Sequence, residues 1–263
     1  MTTDFESIIM DSITATTVYD RGPALSSLLP RKVNFLNKRA MTEAAKREKA
    51  NQILDIAAQL LLTTDYRKIR MIDLAKKMGI SNGIIYVYFK TKETMFLCLL
   101  WREYQKRLTY LIGQARQEHI SCFADAKRLF LAELSHLIDT SPLYIRLATL
   151  RTTILEKNTD AEMLGQMRTQ LFEQVRQLIT DLCEGGILSP DQAMEIFVME
   201  EAILTGCTLA AGMAGDPNGS AAGFGCMQQH FRDHVLRGMR CFLDGYELSL
   251  TQAAGESAQA DPQ

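Results

Sequence analysis

Apolar residues along this chain recur every three or four positions, the spacing that places side chains on one face of an α-helix. Ile53, Ile56, Ala57, Leu60 and Leu61 form the first such stripe, on a helix that Thr42 can cap. The pattern then predicts a short helix over 71–78, stopped by Gly79, and a longer one after a capping Thr91. In that longer helix Met95, Phe96, Leu99, Leu100, Tyr104, Leu108 and Leu111 share a face. Punctuation divides the rest into helices from Ser121 to about 139, from Pro142 to about 157, and over 161–184 up to a Gly185-Gly186 pair. Ser189, Pro190 and Asp191 supply a cap, a first-turn proline and an acid, and so open a helix that runs to about 214. After the turn "GDPNGS" a last helix covers roughly 221–248. No long alternating strand pattern interrupts this series, and the expected fold class is all-α.

Two segments lack the helical period. Residues 1–41 mix Thr, Ser, Gly and Pro, end in the basic pairs Arg31-Lys32 and Lys38-Arg39, and read as a flexible N-terminal extension. Residues 251–263 are small and polar and read as a disordered tail. Between them, residues 42–100 are expected to form one helical domain and 101–250 a larger one.

The stretch "IDLAKKMGISNGIIYVYF" at 72–89 carries the most specific signal. A small residue at Ala75 lets a second helix cross closely, Gly79 accepts a left-handed turn, and Ile85 packs back onto the first helix. This is the pattern of a helix-turn-helix. Its second helix would enter the DNA major groove with Asn82, Gly83, Tyr86 and Val87 outward. Asn82 can pair bidentately with adenine, and Gly83 permits close approach. Tyr86 can reach a phosphate or a thymine methyl, and Lys92 can supply phosphate charge. Lys46 and Arg47 sit near the start of the first helix, where its dipole disfavours cations, so phosphate is the expected compensation.

Extended to "IDLAKKMGISNGIIYVYFKTKETMF", and with "ILDIAAQLLL" at 53–62 and Asp65-Tyr66 ahead of it, the chain resembles the DNA-binding signature of the tetracycline-repressor (TetR) family of bacterial regulators over about residues 43–100. The resemblance rests on the glycine turn, the "YxYF" run at 86–89, and Lys92-Glu93 behind Thr91. It implies an N-terminal three-helix DNA-binding domain followed by a helical domain for effector binding and dimerisation. It adds Ser81, Tyr88 and Thr91 to the expected DNA contacts, although Tyr88 and Phe89 also suit the core. Arg70 stands where the family has a capping Ser or Thr that touches phosphate, and is expected in that role. Ile84 and Val87 occupy positions where Thr and His are common, which moves specificity towards Asn82, Tyr86 and apolar methyl contacts.

Charge sharpens this picture. The net charge is −2, yet residues 31–110 hold 17 Lys and Arg against 7 Asp and Glu, and the remainder holds 12 against 24. One part suits a polyanion and the other does not, although solvated helix faces would also carry such charges. Asp4, Glu6 and Asp11 stand where a secretory signal would be apolar, and the uncharged stretches 202–215 and 217–231 are too short to span a bilayer. The six cysteines show no CxxC and read as free thiols in a reducing cytoplasm.

A DNA reader of this size gains affinity and specificity from a two-fold partner. Between Ala202 and Phe231 only Asp216 is charged, and small residues fill "AILTGCTLAAGMAG", so the helices at 191–214 and 221–248 are the expected homodimer interface. The other reading is a buried intramolecular helix. The resemblance implies an effector pocket among the middle helices, with Trp101, Tyr104, Tyr144, Leu147, Met163, Met167, Phe172 and Phe197 as its expected lining; each is equally an ordinary core residue. Glu200 and Glu201 read as a solvated helix face. Cys226, His230 and His234 follow at i, i+4 and i+8 beside Asp233, but one ion does not span that spacing, so no metal and no cofactor are expected. No catalytic arrangement is visible, and an enzyme is not expected. The expected function is a dimeric, ligand-responsive transcriptional regulator, a repressor released from a palindromic DNA operator by a small-molecule effector. An architectural or effector-independent DNA-binding protein is the alternative.

Overall fold

A computed structural model describes residues 43–118, 120–182, 186–213, 227 and 230–259, and their regular structure is entirely helical. Among the described residues nine α-helices follow in order: α1 Glu43–Thr63, α2 Met71–Met78, α3 Asn82–Tyr88, α4 Lys92–Gln117, α5 Phe123–Thr140, α6 Pro142–Leu150, α7 Ala161–Leu182, α8 Pro190–Ala210 and α9 Phe231–Gln259. Helix α2 packs on α1 and α3; α1 leans on α4 and α6; and α4 continues into the second unit, where it meets α5, α6 and α7. Helix α8 packs on α6, α7 and α9, and α9 also lies along α5.

Local chemistry accounts for most of the boundaries. Gly79 ends α2 in the left-handed conformation (φ 63°, ψ 31°), with its N–H on the carbonyls of Ala75 and Lys76. Thr91 caps α4 by accepting the Thr94 N–H at 3.0 Å. Ser189 and Gln192 form a reciprocal capping box at α8, with Pro190 at its first position. Thr42 and the extension 1–41, including its basic pairs, lie outside the described residues, as do Cys183 and Cys226.

Four boundaries depart from expectation. Cys122, not Ser121, is the cap residue of α5, because Asp125 gathers the backbone N–H groups of both Ser121 (3.0 Å) and Cys122 (3.2 Å). Helix α6 stops at Leu150, and the chain continues through a π-turn (Arg151–Leu155) and a 3-10 turn (Glu156–Asn158). Helix α8 ends at Ala210, just before Gly212 at φ 68°. Helix α9 continues to Gln259, beyond the 248 predicted and into the segment read as a disordered tail. Gln252, Ala253 and Ala254 are good helix formers and no stop signal precedes them.

One apolar core runs from Ala50 in α1 to Leu243 in α9. Inside it lies an ionic cluster. The Arg107 guanidinium of α4 donates to both oxygens of Glu133 on α5 (2.6 Å each), to Glu200 on α8, and to the Tyr144 hydroxyl on α6 (3.0 Å). Arg107, Glu133 and Glu200 are each at most 2% exposed in their side chains. Next to them the Tyr104 hydroxyl donates to Glu201 at 2.6 Å, and Arg151, delivered by the π-turn, reaches the other Glu201 oxygen at 2.7 Å. Glu200 and Glu201 are therefore core residues and not the solvated face expected from sequence. Helix α8 has apolar neighbours on all sides of these acids, so a glutamate turned inward needs a partner, and the partners come from other helices.

Burial pushes the Glu200 carboxyl up to about 8, more than the Arg107 guanidinium draws it down. A carboxyl whose pKa is raised on folding holds its proton in the native state while the unfolded chain has lost it. Stability contributed through Glu200 is therefore present below about 4.5 and falls as pH rises from about 4.5 to about 8. Urea unfolding across this window should show that decline in wild type and a flatter profile in Glu200→Gln. Arg107→Leu should cost about 3–5 kcal/mol by stranding two buried carboxyls, and replacing Arg107, Glu133 and Glu200 together by apolar residues should recover most of that loss.

Candidate nucleic-acid interface

The reading unit is assembled from α1, a connecting turn, α2 and α3. Asp65 starts the turn: its Oδ1 accepts the Arg67 N–H at 2.7 Å, and the Arg67 side chain closes on the same carboxylate at 3.1–3.2 Å, holding its pKa below the usual carboxylate value. Tyr66 is buried edge-on to Phe96, with ring centroids 5.2 Å apart, and its hydroxyl donates to Glu93 at 3.0 Å. The Lys92 ammonium lies 4.0 Å from the centroid of the Tyr66 ring and donates to the carbonyls of Tyr66 (3.1 Å) and Ile69 (3.2 Å). Partial burial lowers the Lys92 pKa. The first turn of α4 is thus tied to the turn ahead of α2.

Helix α3 turns two faces. Ile85, Tyr88 and Phe89 are buried, and Phe89 closes the helix with its N–H on the Ile85 carbonyl at 2.9 Å. Outward stand Ser81, Gly83, Ile84, Tyr86, Val87 and Lys90. Ile84, Tyr86 and Val87 are 40%, 48% and 57% exposed, high values for large apolar side chains on a helix that also has a packed face. Lys76 and Lys77 of α2 are exposed nearby in sequence.

The expected contact residues divide accordingly. Ser81, Gly83, Tyr86 and Val87 share the outward face. Tyr88 is a core residue, 7% exposed, because it falls one turn from Ile85 on the inner side. Thr91 is occupied as the α4 cap, and Lys92 is held inward on two carbonyls and a ring. Arg70 occupies the cap position of α2 without capping it; its guanidinium instead binds Asp73 bidentately at 2.9 and 3.0 Å while remaining exposed. Lys46 and Arg47 are half-buried on α1. Asn82 Oδ1 is shielded from solvent without a hydrogen-bond partner, so the amide is not presented as the paired donor and acceptor that adenine requires. Ile84, left out of the expected contacts, proves to belong to the outward face. Of the adjacent pair, Ile85 is fully buried and Ile84 is turned outward.

The expected effector-pocket residues are brought together only in part. Tyr104 meets Tyr144 and Phe197 with ring centroids 5.5 and 5.8 Å apart, and Trp101 lies edge-on to Tyr104 at 6.5 Å. Trp101, Tyr104, Tyr144, Leu147, Met163, Met167 and Phe197 are buried and Phe172 is half-buried. Two cavities lie close by. One, of about 30 Å³, is enclosed by apolar residues including Leu111, Phe130 and Leu178; the other, of about 90 Å³, is polar and is lined by Glu103, Arg107, Tyr110, Glu133, His136 and Tyr144 among others. Of the expected lining only Tyr144 borders either.

The model of bacterial regulatory proteins of the tetR family matches residues 53–99, which span the second half of α1, the turn, α2, α3 and the first part of α4. This DNA-binding region is of the tetR family. A chain that carries it is a DNA-binding transcriptional regulator of that type. A fatty acid metabolism regulator protein of Bacillus subtilis (strain 168) is 37% identical over 54 residues, which are 20% of this chain and 28% of that protein. The nucleoid occlusion factors SlmA of Pectobacterium carotovorum subsp. carotovorum (strain PC1) and Edwardsiella ictaluri (strain 93-146) are each 26% identical. They cover 54% and 59% of this chain, and 71% and 79% of their own lengths are matched. A TetR transcriptional regulator from Legionella pneumophila superposes with a TM-score of 0.47 at 14% identity, over 74% of this chain and 95% of that one.

Lys92 gives a direct test within this tetR-type reader. Lys92→Met should lower stability by about 1–2 kcal/mol, since it removes hydrogen bonds to two carbonyls and a cation–π contact. The slope of log affinity against log salt should be unchanged in DNA titrations; a fall of about one in that slope would identify Lys92 as a phosphate contact instead.

Proposed function

We propose that the protein acts as a homodimer on a palindromic DNA operator, as a repressor that a small-molecule effector releases. One observation carries the dimeric reading: α8 bears an uncovered apolar stripe. Val198 and Leu209 are 51% and 53% exposed, and Met213, three residues past the helix end, is 45% exposed. Exposed Ala202 and Gly206 lie between them on the same face, at helical spacing. Helix α9 runs beside it and crosses closely, since a Cβ on Gly238 would stand 3.2 Å from Ile203 Cγ2. Along α9, Cys241, Gly245 and Leu248 are also exposed. Two such helix pairs facing each other would bury the stripe and present two copies of α3 about a two-fold axis, which matches the symmetry of a palindrome.

Effector release is supported by the way α4 belongs to both units. Its first turn is tied to the reading unit, and its middle is tied through Arg107 to α5, α6 and α8. A ligand that favours one tilt of α4 would alter the spacing of the two reading helices, and so bias the population able to grip both half-sites.

A second reading has its own support. These two cavities among the described residues, about 30 and 90 Å³, are far smaller than the roughly 300–1,000 Å³ of drug-sized ligand sites. Relatives matched over more than half of this chain are named nucleoid occlusion factors. Both favour DNA binding without an effector.

Footprinting on the DNA upstream of the protein's own gene separates the outcomes. A short palindrome with half-sites about 34–36 Å apart fits the operator reading; protection without sequence preference fits an architectural one. A screen of metabolites by thermal shift, followed by DNA release, decides the effector question: ligands that raise the melting temperature and free the operator are expected. Leu209→Glu should convert dimers to monomers by light scattering and weaken operator binding at least 100-fold. Tyr86→Ala should weaken DNA binding while the dimer persists.

A further inference from the structure

Resting on the reading that α3 enters the major groove, the geometry points to operator recognition dominated by thymine methyl groups, with Ile84 and Val87 as the residues that read them. The groups left on the outward face of α3 decide this. Gly83 has no side chain, the Asn82 Oδ1 is shielded, and the Tyr88 side chain is in the core. With the Asn82 acceptor withdrawn, side-chain hydrogen bonds to base edges from this stretch are left to the Ser81 and Tyr86 hydroxyls and the Asn82 amide nitrogen. Ile84 and Val87, by contrast, stand 40% and 57% exposed, with nothing among the described residues covering them.

In the major groove the base-pair feature that an aliphatic side chain recognises is the C5-methyl of thymine. Ile84 and Val87 are three residues apart and so project from one face, with Cβ atoms about 5–6 Å apart. Successive bases on a strand rise about 3.4 Å, so the pair spans between one and two base steps. Gly83 beside them presents no Cβ that would hold the helix away, and a Cβ added there would meet no atom of the protein within 4 Å. Its absence therefore serves no internal packing and leaves room for the groove wall. The matching feature on DNA is a pair of neighbouring thymines in each half-site, set against α3.

The test uses the full-length protein and selected duplexes. Selection from random DNA should return half-sites with thymines at adjacent or next-adjacent positions. Each of these is then replaced by deoxyuridine, which removes one methyl group and keeps the pairing. Affinity should fall about fourfold for each methyl contact, from about 0.8 kcal/mol per buried methyl-sized group. Ile84→Ala and Val87→Ala should each bind more weakly to the thymine operator and respond to fewer of the uridine exchanges, while the salt slope stays at the wild-type value. Both side chains are exposed, so the variants should melt with the wild type. Thymine-containing sites that tolerate every uridine exchange, or half-sites dominated by G·C at these positions, would overturn the proposal and leave the operator reading intact. Failure to enrich any sequence would overturn both.

Discussion

A single guanidinium organises the second unit of this protein. Arg107 is on α4, and its four hydrogen bonds end on side chains of α5, α6 and α8. An arginine placed in a core must find acceptors for its fork of donors, and the carboxylates that satisfy it must themselves be placed on three-dimensional neighbours. Apolar packing tolerates small slips between helices; a bidentate pair closed from both sides does not. The helices around Arg107 are therefore fixed in register as well as in contact. The aromatic rings of Tyr144 and Phe197 lie 5.4 and 5.0 Å from the guanidinium and close the remaining faces, so the charge is shielded by packing as well as paired.

That constraint shapes what the interior can hold. The side chains suited to line a ligand cavity by composition, Trp101, Tyr104, Tyr144 and Phe197, are drawn around the ionic cluster. The polar cavity that does exist opens against Arg107, Glu133 and Tyr144, at the edge of the same cluster. The outer surface of α8 is built on the opposite principle: small and aliphatic residues, no ion pairing along the stripe, and close approach to α9 at Gly238. Fixed register inside and an uncovered face outside belong to the same helix, since Glu200 and Val198 are two positions apart on α8.

Sequence disclosed the reading unit better than the rest because its rules are local. Gly79 and Thr91 each announce a boundary, one through its backbone and one through its side chain, and each does what its chemistry requires. The outward face of α3 followed from period alone, apart from Tyr88, where an aromatic residue fits groove and core equally, and Ile84, where the adjacent Ile85 decided the matter only once its burial was known. Glu200 and Glu201 were misleading for a physical reason: two consecutive acids look solvated unless their partners are known, and Arg107, Tyr104 and Arg151 lie between 50 and 97 residues away along the chain. Lys92 was obscured in the same way, since the acceptors for its ammonium are backbone carbonyls that no side-chain pattern announces.

The tie between Lys92, Tyr66 and Glu93 turns α4 into the arm of a mechanical amplifier. At 26 residues α4 extends about 39 Å from that tie. A rotation of about 5° around either end of such an arm displaces the other by about 3 Å, close to the rise of one base step. Because the reading turn is clamped to the arm through main-chain carbonyls, it has little freedom to absorb the swing in flexible side chains. Adjustments among the packed helices too small to open the core thus reach the far end of α4 as a displacement of about 3 Å.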